Sequence, residues 1–265
     1  MKLMKIWDKE FPLYDPEINN AENDNINTLS FSAVETDKPL PVVLIFPGGG
    51  YGFRSELNEG KEIDKFFNSQ GVHAAVVNYR VSPYRYPAPL MDAQRAIKLL
   101  RYHAEELKID PNRIFVLGFS AGGHLCGMTA TFPDVANQYG DEIDNIDHKP
   151  NGALLCYPVI SADDDKMHRG SFENLLGEKY PQKQNYSIEK NVNETTCPCF
   201  LFHCENDTLV PAVNSIVMAD SLRRANIPYE LHIFRNGCHG GGMKKDDPLA
   251  HLWPTLAANW VKNFK

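Results

Sequence analysis

The chain lacks a long apolar run: no stretch approaches the about 18 uncharged apolar residues that a membrane-spanning helix needs. Cysteine is scarce as well. Cys126, Cys156, Cys197, Cys199, Cys204 and Cys238 are irregularly spaced and too few for a disulfide scaffold in 265 residues. Positive charge is in deficit, with 27 Lys and Arg against 34 Asp and Glu and a net charge of −7. That excludes the electrostatic footprint of a general nucleic-acid binder and the basic face that adheres to anionic membranes. There is no fixed-period repeat and no low-complexity tract. Residues 1–10 start positive but carry no apolar h-region, so the expectation is no secretory signal, a cytoplasmic protein and reduced thiols. What is present is the composition of a soluble globule, 43% hydrophobic and 23% charged. The length buries a sizeable core without a disulfide or metal staple.

Residues 1–27 are polar and Asn-rich, with apolar side chains too scattered to define an element; they read as a surface arm. Thr28 to Glu35 alternates well enough for an edge strand. Val42 to Phe46 is a continuous apolar run, the mark of a strand covered on both faces. Ile63, Phe66 and Phe67 follow at helical spacing up to Gly71, and Ala74 to Tyr79 is a second buried strand. Leu90, Ala93, Ile97, Leu100, Ala104 and Leu107 form one apolar stripe of a helix that Asp110-Pro111 should stop. Strands are expected over Arg113–Phe119, Gly152–Pro158, Cys199–His203 and Tyr229–Phe234. A helix should open at Pro211, and another should run from Leu249 to Phe264 with Leu252, Trp253, Leu256, Trp260 and Phe264 on its apolar side.

Strands alternating with helices predict an α/β fold, a mostly parallel sheet between helical layers. Ser161 to Thr196 interrupts that rhythm. It is polar and too long for an ordinary connection, so it reads as a cap-like insertion. One continuous alternation makes residues 1–265 a single domain.

The sharpest local signal is Gly118-Phe119-Ser120-Ala121-Gly122, directly after the strand Ile114 to Leu117 and before a plausible helix. Gly-x-Ser-x-Gly in that setting is a nucleophile elbow, a turn so tight that its neighbours must lack side chains. It would hold the Ser120 hydroxyl above a helix N-terminus that favours developing negative charge. A serine needs a base to take its proton. Of nine histidines, His239 in Asn236-Gly237-Cys238-His239-Gly240-Gly241 sits on a glycine-flanked loop after the last strand; His203 lies inside a strand and reads as core. The base needs a carboxylate to set its tautomer. Asp207, on the loop after Cys199–His203, fits, with Glu205 and the run Asp163, Asp164 and Asp165 as competitors. Backbone amides of Gly49 and Gly50, in Pro47-Gly48-Gly49-Gly50-Tyr51-Gly52, could join the amide of Ala121 as an oxyanion hole. A phosphate-cradling reading of that loop fails, because no Gly-Lys-Ser/Thr follows and Phe53 replaces the third glycine of a dinucleotide fingerprint.

Gly-Phe-Ser-Ala-Gly-Gly-His at 118–124, the Gly-Gly-Gly-Tyr loop and Tyr79-Arg80-Val81-Ser82-Pro83 resemble the α/β-hydrolase superfamily. Within it they resemble small carboxylesterases of the hormone-sensitive-lipase-like and acetyl xylan esterase/feruloyl esterase-like branches. Pro47 stands where the lipase-like branch has histidine, which favours the sugar-ester branch. The resemblance covers Val42 to the C-terminus. It implies Ser120 as nucleophile, His239 as base, Asp207 as its orienting acid, and Gly49, Gly50 and Ala121 as oxyanion donors. His168-Arg169-Gly170-Ser171 is similar to the same branch, and His168 and Tyr51 are the candidate substrate contacts.

The expectation is therefore a serine carboxylesterase needing no cofactor. It would hydrolyse short-acyl esters, acetyl foremost, of sugars or similar polar alcohols through an acyl-enzyme. Its partner would be a small-molecule ester, such as an acetylated oligosaccharide, with no nucleic acid and no membrane; the oligomeric state is not specified. A peptidase or amidase would use the same three residues, and a catalytically silent binding protein could share the scaffold. No metal is expected: Cys197-Pro198-Cys199 lacks zinc-ligand spacing, and cysteines in buried strands pack as small apolar residues.

Overall fold

Among the described residues, the apolar runs around Val42 and Ile114 pair as neighbouring central strands of an eight-stranded sheet. The structure is a computed structural model that describes residues 1–8, 10–18 and 26–264. Its strands are β1 (Lys2–Lys5), β2 (Thr28–Ser32), β3 (Leu40–Phe46), β4 (His73–Asn78), β5 (Ile109–Phe119), β6 (Gly152–Cys156), β7 (Cys199–Cys204) and β8 (Tyr229–Phe234). They lie in the order β1-β2-β4-β3-β5-β6-β7-β8. β1 and β2 are antiparallel additions, and β4 through β8 are all parallel. The helices are α1 (Glu62–Ser69), α2 (Ala88–Tyr102), α3 (Ala121–Thr131), α4 (Arg169–Leu176), α5 (Ile188–Asn191), α6 (Val213–Arg224) and α7 (Trp253–Lys262).

Alternate residues of each central strand point to opposite faces, and this divides the core in two. Val42, Leu44, Val116 and Leu155 meet Leu90, Ile97, Leu125 and Met218 of α2, α3 and α6. Val43, Ile45, Leu117 and Phe202 meet Ile63 and Phe67 of α1 and Trp253, Ala257 and Val261 of α7. Both faces are covered, which is why these strands read as unbroken apolar runs. This is the doubly covered sheet expected of an α/β-hydrolase.

Four local expectations are corrected. The arm is not wholly a surface feature: Lys2–Lys5 pairs along β2, and Ile6 and Trp7 are buried. The Trp7 indole donates to Asp92 Oδ1 at 2.9 Å, and the Arg95 guanidinium lies 4.9 Å from its ring. These partners are far along the chain, so no local pattern announces them. Residues 9 and 19–25 of the arm lie outside the described residues. β2 is consequently interior, flanked by β1 and β4. α2 ends at Tyr102, short of Asp110-Pro111; Ala104 and Leu107 stay buried in a turn that Lys108, at φ +56°, reverses into β5. On α7 Trp253, Ala257 and Val261 are innermost and Leu256, Trp260 and, just past its end, Phe264 pack against the same core, as expected, but Leu252 is exposed. The 3-10 turn Ala250–Leu252 explains the offset, since it advances three residues per turn rather than 3.6.

Residues 161–196 hold α4, a 3-10 stretch (Gly177–Tyr186) and α5 between β6 and β7. Phe172, Leu175, Leu176 and Ile188 anchor the segment to the first core. Arg80 meets Asp92 at 2.8 Å with both side chains 1% exposed. Asp92 also accepts the Arg80 amide, so each charge is satisfied where an orphan would cost about 3–5 kcal/mol. Among the described residues, no helix is long and apolar enough to cross a membrane.

Candidate active site

Ser120 occupies the single residue between β5 and α3, at φ +54° and ψ −117°. An L-residue rarely adopts that conformation, and crowding enforces it. A Cβ on Gly118 would lie 2.0 Å from the Gly122 carbonyl oxygen, and one on Gly122 would lie 2.1 Å from that of Phe46. The Ser120 amide donates to Cys156 O at 3.1 Å, tying the turn to β6. The hydroxyl therefore stands at the carboxyl end of a central strand and at the N-terminus of α3.

His239 Nε2 lies 2.8 Å from Ser120 Oγ, and His239 Nδ1 lies 2.6 Å from Asp207 Oδ2. The carboxylate accepts, so Nδ1 carries the proton and Nε2 is left to accept the serine hydrogen. Asp207 Oδ1 accepts the amides of Leu209 and Val210 at 3.0 and 2.9 Å. Burial works to raise the Asp207 pKa, but hydrogen bonds from His203, His239 and the Val210 amide outweigh it and hold the carboxyl well below the usual range. Glu205 is exposed, and Asp163, Asp164 and Asp165 pair with Lys190, Lys183 and Lys166. None of these competitors meets His239. His203 is buried and turns Nε2 to the Val210 carbonyl at 2.9 Å, with Nδ1 2.8 Å from Ser215 Oγ.

The glycine loop leaves β3 beside this line. Gly49 and Gly50 have φ +132° and +62°, and the Gly49 carbonyl is turned back to accept the amides of Gly52 and Phe53. Among the described residues, no protein acceptor engages the amides of Gly49, Gly50 or Ala121. A cavity of about 470 Å³ is lined by Ser120, His239, Gly49, Gly50, Phe53 and Leu209, with His168 and Asn174 at its side. A larger hollow of about 540 Å³ between β8 and α7, around Tyr229 and Trp260, contains no serine, cysteine or histidine.

The two candidate substrate contacts separate. His168 lines the cavity, its Nδ1 2.8 Å from Ser171 Oγ. Tyr51 does not: its side chain is buried, with the hydroxyl 2.9 Å from His124 Nδ1. A backbone φ of +58° carries the glycine loop past Tyr51 and sends the ring into the core, which corrects the expectation of a substrate contact there.

Two residues at the site carry no local sequence signal. Glu59 is buried and lines the cavity, with Oε2 accepting the Gly48 amide and Oε1 the Tyr157 hydroxyl, each at 2.8 Å. The Tyr157 ring lies 5.1 Å from that of His239. A charged Asn58-Glu59-Gly60-Lys61-Glu62 stretch reads as solvated surface, and only tertiary packing shows otherwise. Among the described residues, no three His, Cys, Asp or Glu side chains are grouped to hold a metal ion.

This arrangement can lend a serine hydroxyl to an electrophilic carbon, accept its proton and hold an anion at the loop amides. Known proteins agree with the architecture. The BD-FAE family model matches residues 31–222. An acetylxylan esterase of Xylanibacter ruminicola is 34% identical over 82% of this chain and 44% of its own length. Endo-1,4-beta-xylanase B of Butyrivibrio fibrisolvens is 34% identical over 77% of the chain and 33% of that protein. The chain thus spans less than half of these curated relatives. A crystal structure of an acetyl ester-xyloside bifunctional hydrolase from Caldicellulosiruptor lactoaceticus superimposes with a TM-score of 0.91 at 39% identity, over 98% of this chain and 95% of that one. By sequence and by fold the chain belongs to the BD-FAE family, on the α/β-hydrolase fold.

Proposed function

We propose that the protein is a serine carboxylesterase that removes short acyl groups, acetyl foremost, from sugars or similar polar alcohols. Ser120 Oγ attacks the ester carbonyl carbon while its proton passes to His239 Nε2. The tetrahedral oxyanion is held by the amides of Gly50 and Ala121, with Gly49 beside them. Collapse expels the alcohol, which takes the proton from His239, and leaves the acyl group on Ser120. Water then attacks that ester, again losing a proton to His239, and the carboxylic acid departs as Ser120 regains its hydrogen. Asp207 keeps the ring in the required tautomer and offsets the imidazolium charge.

One observation carries the reading: the Ser120–His239–Asp207 line of hydrogen bonds opens onto a cavity flanked by unengaged loop amides. The sugar alcohol rests on the relatives named for acetylated xylan and on the polar side of the cavity at His168 and Asn174. Six free thiols support a cytoplasmic location. The test is hydrolysis of p-nitrophenyl acetate, butyrate and octanoate, of acetylated xylo-oligosaccharide and of a p-nitroanilide, by wild type and Ser120→Ala. Acetate release by wild type alone is expected. Activity retained in Ser120→Ala removes the nucleophile, and preference for octanoate or for the anilide removes the substrate class.

A further inference from the structure

The loop after the glycines inverts the usual polarity of a surface helix start. Residues Leu57–Lys61 form a π-helical turn, in which the Lys61 amide reaches back to Glu56 O at 2.8 Å and the Glu62 amide to Leu57 O. Such turns are rare and concentrate at functional sites. This one leaves Leu57 65% exposed and Glu59 4% exposed. The buried carboxylate is the informative departure, because Asp and Glu are almost never fully buried unless partnered, and here a local rule is broken where a site lies.

Both carboxylate oxygens of Glu59 are used, and each leads to a different arm of the site. Oε2 takes the amide of Gly48, at the root of the glycine loop. A Cβ on Gly48 would fall 2.8 Å from Oε2 and 3.1 Å from Ser120 Cβ, so carboxylate, loop and nucleophile meet at one point. Oε1 takes the Tyr157 hydroxyl hydrogen, and the Tyr157 oxygen accepts the Gly242 amide at 3.2 Å. Gly242 belongs to the loop that carries His239 and packs on the π-turn itself: at φ +49°, its Cβ would lie 2.2 Å from Asn58 O. Burial pushes the Glu59 pKa up, while the bonds from Tyr157 and Gly48 and the charges of His239 and Lys244 pull it back.

We infer that Glu59 is a positioning residue for the ester hydrolysis proposed above, on which this inference rests. Through Gly48 it sets the oxyanion loop, and through Tyr157 and Gly242 it seats the loop of His239, so one buried carboxylate registers both arms against Ser120. An isosteric amide cannot replace it. Glutamine has one accepting oxygen, so accepting from Gly48 leaves an N–H donor facing the Tyr157 hydroxyl hydrogen.

The test compares wild type, Glu59→Gln, Tyr157→Phe, the double variant and Ser120→Ala. It measures kcat and KM for p-nitrophenyl acetate, inhibition by a trifluoromethyl ketone that forms an oxyanion adduct, and thermal unfolding. In Glu59→Gln, kcat should fall about 10–100-fold with KM within about 3-fold, because the lost register acts on the transition state. The ketone's inhibition constant should rise by the factor by which kcat/KM falls. Tyr157→Phe should lower kcat about 5–20-fold, and the double variant should fall no further than Glu59→Gln, since the bonds form one chain. Unchanged kcat in folded Glu59→Gln, whatever its Tm, overturns the role, as do losses that multiply in the double variant. If Glu59→Gln fails to fold, Tyr157→Phe decides alone, and unchanged kcat there overturns it. With Ser120→Ala inactive, such a failure removes Glu59 alone; an active Ser120→Ala removes the esterase reading and this inference with it.

Discussion

Asp207 and His239 share a 2.6 Å hydrogen bond in which the carboxylate can only accept, so the imidazole proton is held on Nδ1. The second carboxylate oxygen is pinned by the Leu209 and Val210 amides. In Asp207→Asn the amide carbonyl keeps those two bonds and turns its NH₂ toward His239. The ring must then protonate Nε2, which can no longer take the Ser120 hydrogen. The expected result is a loss in kcat of about 10³–10⁴-fold with KM little changed. Steady-state kinetics on p-nitrophenyl acetate decide it; a loss below about tenfold would mean that Asp207 does not set the tautomer.

Ser120 sits at φ +54°, a conformation that burdens any residue with a Cβ. Ser120→Ala retains that burden, and Ser120→Gly relieves it while adding freedom to the unfolded chain. The glycine variant should therefore be more stable than the alanine variant by about 1 kcal/mol, both being inactive. Urea unfolding of the two proteins measures the difference. An alanine variant at least as stable would show that the turn is not strained.

His124 is buried on α3, its Nε2–H donating to Tyr186 O at 2.8 Å while Nδ1 faces the Tyr51 hydroxyl. Burial lowers its pKa from 6.5 to about 4, the Tyr186 bond offsetting only part. Because the fold holds the neutral ring, this stabilisation is complete above about pH 6.5 and is lost as pH falls toward 4, where the unfolded chain takes the proton first. The shift amounts to roughly 3 kcal/mol. His124→Gln retains a donor toward Tyr186 and does not titrate. Between about pH 7 and about pH 4.5 wild type should lose more stability than the variant, approaching that roughly 3 kcal/mol. Parallel stability curves for the two proteins would rule the histidine out.

His168, the residue before α4, lines the same cavity as Ser120, and the reading proposed above puts it on the alcohol side. One hydrogen bond of about 1 kcal/mol corresponds to roughly fivefold in affinity. His168→Ala should raise KM for acetylated xylo-oligosaccharide by about that factor and leave p-nitrophenyl acetate unaffected. Equal effects on both substrates would move His168 out of the alcohol side.

Parts of this protein were legible because their causes are local. A parallel strand buried on both faces reads as an apolar run, so β3 through β7 stand out around Val42, Ala74, Ile114, Gly152 and Cys199. The turn at Ser120 stands out because only glycine fits at 118 and 122. The end of α2 was hidden, since Ala104 and Leu107 continue its apolar spacing after the helix has stopped and are buried in a turn instead. The inward turn of Tyr51 has no mark in the sequence, because a positive φ rather than residue type aims its ring.

Neighbouring residues alone write the layered architecture and offer Ser120, His239 and Asp207 with its acidic competitors at strand ends, since strand burial and tight turns are local. Which of those side chains meet, and what lies beneath them, follows from the packed fold. His239 reaches Ser120 across 119 positions, Tyr157 reaches Glu59 across 98, and Trp7 finds Asp92 across 85. Hydrogen bonds at such separations depend on how whole elements pack. A short polar stretch such as Asn58-Glu59-Gly60 looks the same on a surface as under an active site.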